Sequence, residues 1–207
     1  MLPIGDERTP RRIFPFMTYL LIIINAIFFY LELNRGDAFI ERWAFVPGRF
    51  SADPIGEFST IFTAMFMHGG WLHILSNMLY LWIFGDNVED RFGSFKYLIF
   101  YLLSGIAATF AQYIFAPSSS VPLVGASGAI AGVLAAYVIM FPRSPVRVLM
   151  GLWVIRVRAL FVIGGWFLIQ LLNGYALLGS AVDSGGVAYM AHVGGFIAGL
   201  VLTFIFR

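Results

Sequence analysis

The sequence predicts an all-α membrane protein with six transmembrane helices forming a single domain over residues 1–207. Three observations carry that prediction. The chain has 207 residues, 60% hydrophobic and 12% charged, with a mean hydropathy of +0.86, whereas soluble domains run near about 25% charged. Apolar runs of about 20 residues, the length that crosses a ~30 Å hydrocarbon core, recur along the chain. The basic residues gather on alternate connections between those runs, as they do in membrane proteins with a fixed orientation.

Apolar runs bounded by charge, proline and glycine give the six spans as residues 14–33, 61–84, 95–115, 121–141, 159–178 and 187–206. The first follows Arg8, Arg11 and Arg12 without a small-residue cleavage site behind it, so an uncleaved anchor is expected. Residues 34–60 form a long connection carrying Trp43, Phe45, Phe50 and Phe58, which suits a segment lying in the headgroup interface. The 179–186 segment, GSAVDSGG, has the small, flexible composition of a movable cover.

Basic residues set the orientation. Arg8, Arg11, Arg12, Arg91, Lys96, Arg143, Arg147, Arg156, Arg158 and Arg207 fall on one side, and Arg35, Arg42 and Arg49 on the other. Ten against three places both termini in the cytoplasm, so spans two, four and six run from outside to inside. His68, His73 and Asn77 lie in span two, Ser127 is about the seventh residue of span four, and His192 about the sixth of span six. At ~1.5 Å per residue, Ser127 and His192 sit at a common depth of about 8–9 Å below the outer surface.

Peptide hydrolysis in a bilayer needs a nucleophile, a base, donors for the tetrahedral oxyanion, and access for water. Ser127 stands in Gly125-Ala126-Ser127-Gly128, where small neighbours let a substrate backbone come close. His192 can take the Ser127 proton if spans four and six touch. Gly128 with Gly132, and Gly195 with Gly199, are G-x-x-x-G pairs that permit this approach. His73 and Asn77, four residues apart on one helical face, can both donate to an oxyanion, and the Ser127 backbone N–H adds a third donor.

His68 and His73-Ile-Leu-Ser-Asn77, then Gly85 with Glu89-Asp-Arg91-Phe-Gly93, then Gly125-Ala-Ser127-Gly128, then Ala191-His192 with Gly195 and Gly199 together resemble the motif series of the rhomboid intramembrane serine proteases, in order and in the expected spans. The resemblance runs from Phe14 to the last residue. It implies a rhomboid-like six-helix bundle of the bacterial or archaeal type, in a prokaryotic inner or plasma membrane. It implies a Ser127/His192 dyad with no acidic third member, cutting single-pass transmembrane protein substrates near the outer membrane face. Ser127 becomes the nucleophile, His192 the general base and then acid, and His73 and Asn77 the oxyanion donors beside Gly125 and Gly128. His68 becomes a supporting polar residue near the site, Gly195 and Gly199 become supporting packing residues, and Glu89 and Arg91 become structural residues of the turn between spans two and three. Some relatives carry an aromatic residue one turn after the nucleophile that packs on the base. Here that position is Ala131, so another group has to hold His192. Trp166 and Phe167 of span five both remain candidates to flank a lateral access path for substrate.

Each residue also has a plainer role. Ser127 and Asn77 alone are ordinary interhelical contacts in membranes, and His192 alone could be a proton-relay group. Asp86, Glu89, Asp90 and Arg91 read as a solvated, capped loop on the cytoplasmic side. Zinc chemistry lacks its H-E-x-x-H, and all six aspartates fall outside the spans, so neither a metal nor aspartyl chemistry is expected, and no cofactor. Cysteine is absent, which removes thiol nucleophiles and disulfides. There is no basic patch of the kind that binds nucleic acid, and no residue pattern specifies an oligomeric state. A non-enzymatic relative that escorts membrane clients would be expected to lack the serine or histidine. A small transporter using His192 and Asn77 would need polar groups continuing to the other face.

Overall fold

A chain buried in lipid must satisfy its backbone N–H and C=O groups within each segment, which forces long apolar stretches into helices. The computed structural model describes residues 2–7, 12–177 and 186–207. Its helices are α1 (Phe16–Arg35), α2 (Asp37–Trp43), α3 (Pro47–Ala52), α4 (Thr60–Thr63), α5 (Trp71–Tyr80), α6 (Asp86–Phe92), α7 (Ser94–Phe115), α8 (Ser127–Met140), α9 (Ala159–Leu177) and α10 (Tyr189–Phe206). A π-helical turn, Leu81–Gly85, joins α5 to α6 without a break. Among the described residues, α1, α7, α9 and α10 are long and apolar enough to cross a membrane.

The remaining two expected spans take other forms. The second, expected over 61–84, is displaced: the continuous helical path runs over 71–92, after a break at Gly69-Gly70 where Gly70 adopts φ 155°. Its charged end stays helical because Glu89 is 0% exposed rather than solvated. The Glu89 carboxylate accepts hydrogen bonds from the backbone N–H of Met17 (2.8 Å) and Thr18 (2.7 Å), from Thr18 Oγ1 (2.7 Å) and from Ser94 Oγ (2.5 Å). It therefore caps the positive end of α1, whose first amides have no partner within the helix, and ties it to the start of α7. Asp90 takes the N–H groups of Arg12 (2.6 Å) and Ile13 (2.9 Å), and the Arg91 guanidinium lies 5.1 Å over the Phe141 ring. The expectation of a solvated loop is corrected by these bonds.

The fourth expected span, 121–141, is helical only from Ser127, and α8 has 14 residues, or roughly 21 Å at ~1.5 Å per residue. It is the central element, with Gly128 to Tyr137 all buried and α7 and α10 packed against it. Residues 117–126 reach it without helix, which is tolerable at membrane depth where backbone is enclosed by protein or lines a cavity.

The segments expected as a short cytoplasmic tail, 1–13, and as the 142–158 loop meet in a three-stranded antiparallel sheet ordered β1 (Leu2–Asp6), β2 (Pro145–Met150), β3 (Trp153–Arg158). β2 buries Val146 and Val148 in the main core and turns Arg147 outward, the alternation of a strand with one covered face. Asp6 accepts hydrogen bonds from Asn87 Nδ2 and Tyr137 Oη, both at 2.8 Å, and the Arg156 side chain pairs with Glu7 at 3.1 Å. The 34–60 connection is partly embedded: Phe45 is fully buried between Phe50 and Tyr113, while Phe58 is exposed. Almost all of the 179–186 segment lies outside the described residues.

Candidate functional site

Ser127 is the first residue of α8, so its N–H belongs to the unbonded amides of a helix start. The approach to it is pinned by bonds to the outer connection. Phe45 and Leu123 exchange both backbone hydrogen bonds, at 3.2 and 2.7 Å, and Gly125 N–H donates to Ala64 O at 2.9 Å. Gly125 sits at φ 128°, a region that side-chain-bearing residues avoid, and a Cβ placed there would lie 2.7 Å from His73 Nε2. Glycine at this position lets the His73 ring reach the start of α8. Because 117–126 is not helical, the depth reckoned from helical rise does not hold for Ser127.

The approach of α8 to α10 is made by glycines. A Cβ on Gly195 would strike the Gly128 carbonyl, and one on Gly199 would strike the Gly132 backbone. Backbone therefore packs on backbone, as the two G-x-x-x-G pairs predict. This contact brings Ser127 Oγ to 2.7 Å from His192 Nε2, with His192 9% exposed.

The oxyanion candidates converge on the same place. Gly69 N–H donates to His73 Nδ1 at 3.3 Å, which makes Nδ1 an acceptor and leaves the ring proton on Nε2, beside Gly125. Asn77 is buried, borders the same cavity, and its Nδ2 has no hydrogen-bond partner, so a donor stands unused there. His68 lies in the loop before α5, not in a helix. Its ring meets His73 edge-on at 5.1 Å, and its N–H donates to both Glu32 carboxylate oxygens at 3.0 and 3.2 Å. His68 thus supports His73 from behind and does not border the cavity. Glu89 and Arg91 belong to the other end of the molecule: Glu89 holds the first turn of α1 and Glu32 its last, roughly 21 Å apart by helical rise.

Two residues at the site were not singled out from the sequence as partners of the histidine. Gln170 Oε1 lies 2.7 Å from His192 Nδ1, and the Trp166 ring lies 5.7 Å from the imidazole at 38°. Both come from one face of α9, four residues apart. The signal was present as a carboxamide inside an otherwise apolar run, since polar side chains in such runs usually bond across helices. Phe167 instead stacks on Phe196 at 4.1 Å.

These groups border a cavity of about 1020 Å³ lined by His73, Asn77, Gly125, Ser127, Trp166 and His192 among others. A hydroxyl bonded to an imidazole, with the N–H-bearing residues His73, Asn77 and Ser127 bordering the same space, is the equipment of acyl transfer through a serine nucleophile. The class defined by fold and site is a polytopic membrane protein with a serine–histidine pair at the edge of a large cavity.

Comparison with known families matches residues 55–207 to the Rhomboid domain. The chain belongs to the rhomboid family, and it is an integral membrane protein. It is 35% identical to rhomboid protease GluP of Bacillus subtilis (strain 168) over 189 residues, 89% of this chain and 34% of that protein. It is 30% identical to the chloroplastic rhomboid-like protein 11 of Arabidopsis thaliana over 192 residues, 87% of this chain and 65% of that protein. It is likewise 30% identical to rhomboid protease GlpG of Klebsiella pneumoniae over 197 residues, 92% of this chain and 63% of that protein. The chain thus spans about a third of the first relative's length and just under two thirds of the other two.

Proposed function

We propose that this protein is an intramembrane serine endopeptidase that hydrolyses peptide bonds of single-pass transmembrane proteins near the outer membrane face. The observation that carries the proposal is the 2.7 Å contact of Ser127 Oγ with His192 Nε2 at the edge of the cavity. Names of the relatives GluP and GlpG agree with it.

In this mechanism His192 Nε2 takes the hydroxyl proton as Ser127 Oγ attacks the scissile carbonyl carbon. The resulting oxyanion accepts hydrogen bonds from His73 Nε2–H, Asn77 Nδ2–H and the Ser127 backbone N–H. The imidazolium then returns its proton to the leaving amine, and the carbon–nitrogen bond breaks. A water molecule, deprotonated by the same nitrogen, hydrolyses the acyl-enzyme and restores Ser127. Helix-destabilising residues in the substrate would favour cleavage, because a helical peptide hides its carbonyls in hydrogen bonds. Six membrane crossings with both termini cytoplasmic, in a prokaryotic inner or plasma membrane, complete the proposal. The second crossing is the 71–92 path, and the fourth is α8 with the non-helical segment before it.

The test is cleavage of a purified single-pass substrate by wild-type, Ser127→Ala and His192→Ala proteins. Both variants are expected to lose activity while remaining folded and inserted, and a fluorophosphonate probe should label the wild type at Ser127. Full cleavage by Ser127→Ala would end the proposal. A non-enzymatic escort role has no specific observation in its favour, since both members of the pair are present and in contact.

A further inference from the structure

The pairing of Ser127 with His192 leaves one contact unexplained. Gln170, 7% exposed in the middle of α9, directs its carboxamide oxygen at the far nitrogen of the same imidazole, at 2.7 Å. A neutral imidazole carries one proton, on Nδ1 or on Nε2, and only the Nδ1–H form leaves Nε2 free to accept from Ser127. A carboxamide oxygen accepts and cannot donate, so with Oε1 toward the ring the proton is held on Nδ1. With the amide turned about, its NH2 would donate to Nδ1 and drive the proton to Nε2, where Ser127 could serve only as acceptor. The Oε1-inward arrangement is the one compatible with proton transfer from the serine. Trp166, one turn earlier on the same face, places its ring beside the imidazole, while Ala131 on α8 offers no ring.

We propose that Gln170 is a positioning residue: it holds His192 in the Nδ1–H tautomer and in the orientation that presents Nε2 to Ser127, with Trp166 as the wall that stops the ring from turning. This rests on the serine-protease reading given above. Gln170 does not touch the reacting atoms and acts through His192. Its side chain is a neutral dipole, so the site gains a fixed acceptor without enclosing a bare carboxylate beside the base. When the imidazolium forms, Nδ1–H still donates to Oε1, so the ring need not move between accepting and returning the proton. Among the described residues, the ionisable group that acts on His192 from another element is His73 of α5.

The experiment compares the full-length purified chain in proteoliposomes as wild type, Gln170→Met, Gln170→Glu and Ser127→Ala, reading kcat, KM, the pH dependence of kcat and the thermal unfolding midpoint. Methionine keeps the volume and removes the acceptor, so kcat should fall about tenfold to a hundredfold with KM unchanged. Glutamate keeps an acceptor and adds charge, which holds a proton on the imidazole more tightly. Its kcat should stay within a few-fold of wild type at alkaline pH, and the acidic limb of its profile should move up by about one pH unit or more. Wild-type kcat in Gln170→Met overturns the assignment. So does an equal loss in both variants with an unshifted pH profile, which would mark Gln170 as a packing residue, and the glutamate profile decides the matter even if the methionine protein fails to fold. Cleavage by Ser127→Ala would instead remove the underlying reaction, whereas an inactive Ser127→Ala beside a fully active Gln170→Met would keep the reaction and remove the positioning role.

Discussion

Gly125 is the residue on which the His73 side of the cavity turns, because its backbone occupies φ 128° and the His73 ring stands where a Cβ would be. Gly125→Ala should therefore move His73 and lower kcat on the order of a hundredfold, the usual consequence of an ångström-scale misplacement, and lower the unfolding temperature as well, because alanine is strained at this φ. A steady-state comparison of kcat with the wild type checks this. Asn77→Ala removes an unpartnered buried donor and should likewise cost on the order of a hundredfold in kcat. An Asn77→Ala protein with wild-type kcat would assign Asn77 to interhelical packing alone. At this scale the sequence was informative where chemistry is rare in a membrane: Ser127, His192, His73 and Asn77 stand out against apolar neighbours and meet around one cavity. Gln170 was equally visible as a residue type. Its partner was not, because which side of α9 faces α10 depends on packing angles that a uniformly apolar run does not encode.

Between elements, the α8–α10 seam depends on having no side chains where Gly195 meets Gly128 and Gly199 meets Gly132. Gly199→Val would press a branched side chain into the Gly132 backbone, at a cost of about 1–3 kcal/mol typical of overpacking, visible as a lower unfolding midpoint in detergent. Glu89→Ala would orphan the first amides of α1 together with Thr18 Oγ1 and Ser94 Oγ, and should destabilise the fold by at least about 1–3 kcal/mol without touching the cavity. Activity per folded molecule should be unchanged in that variant. The G-x-x-x-G spacing made the seam legible, as did the apolar runs that became α1, α7, α9 and α10. The 71–92 helix was misplaced because charge was read as a boundary, whereas Glu89 is buried among donors that include Met17 and Thr18, more than seventy positions away. The strands were overlooked because Arg147, Arg156 and Arg158 drew notice as topology markers, although PVRVLM and WVIRVR alternate around Gly151 as a hairpin does.

For the whole molecule, the two ends are separable by contact. β1 to β3, α6 and the start of α1 share one end, while Phe50, Phe110 and the 117–126 segment share the other. The protein has no natural cysteine, so single cysteines report cleanly on sidedness. Leu152→Cys, at a position 97% exposed in the turn between β2 and β3, should react with an impermeant maleimide only from the cytoplasmic side, and Ile55→Cys, 91% exposed, only from the outer side. Labelling of both from one side of sealed vesicles would refute the orientation.

The glycine seam between α8 and α10 has a mechanical corollary. Side-chain interfaces can slacken gradually as rotamers are sampled, but two main chains in van der Waals contact have no such intermediate adjustment. The spacing between hydroxyl and imidazole should thus stay constant on warming until the bundle itself gives way. Turnover plotted against temperature should end in a sharp edge coinciding with the melting transition, without a preceding slow decline.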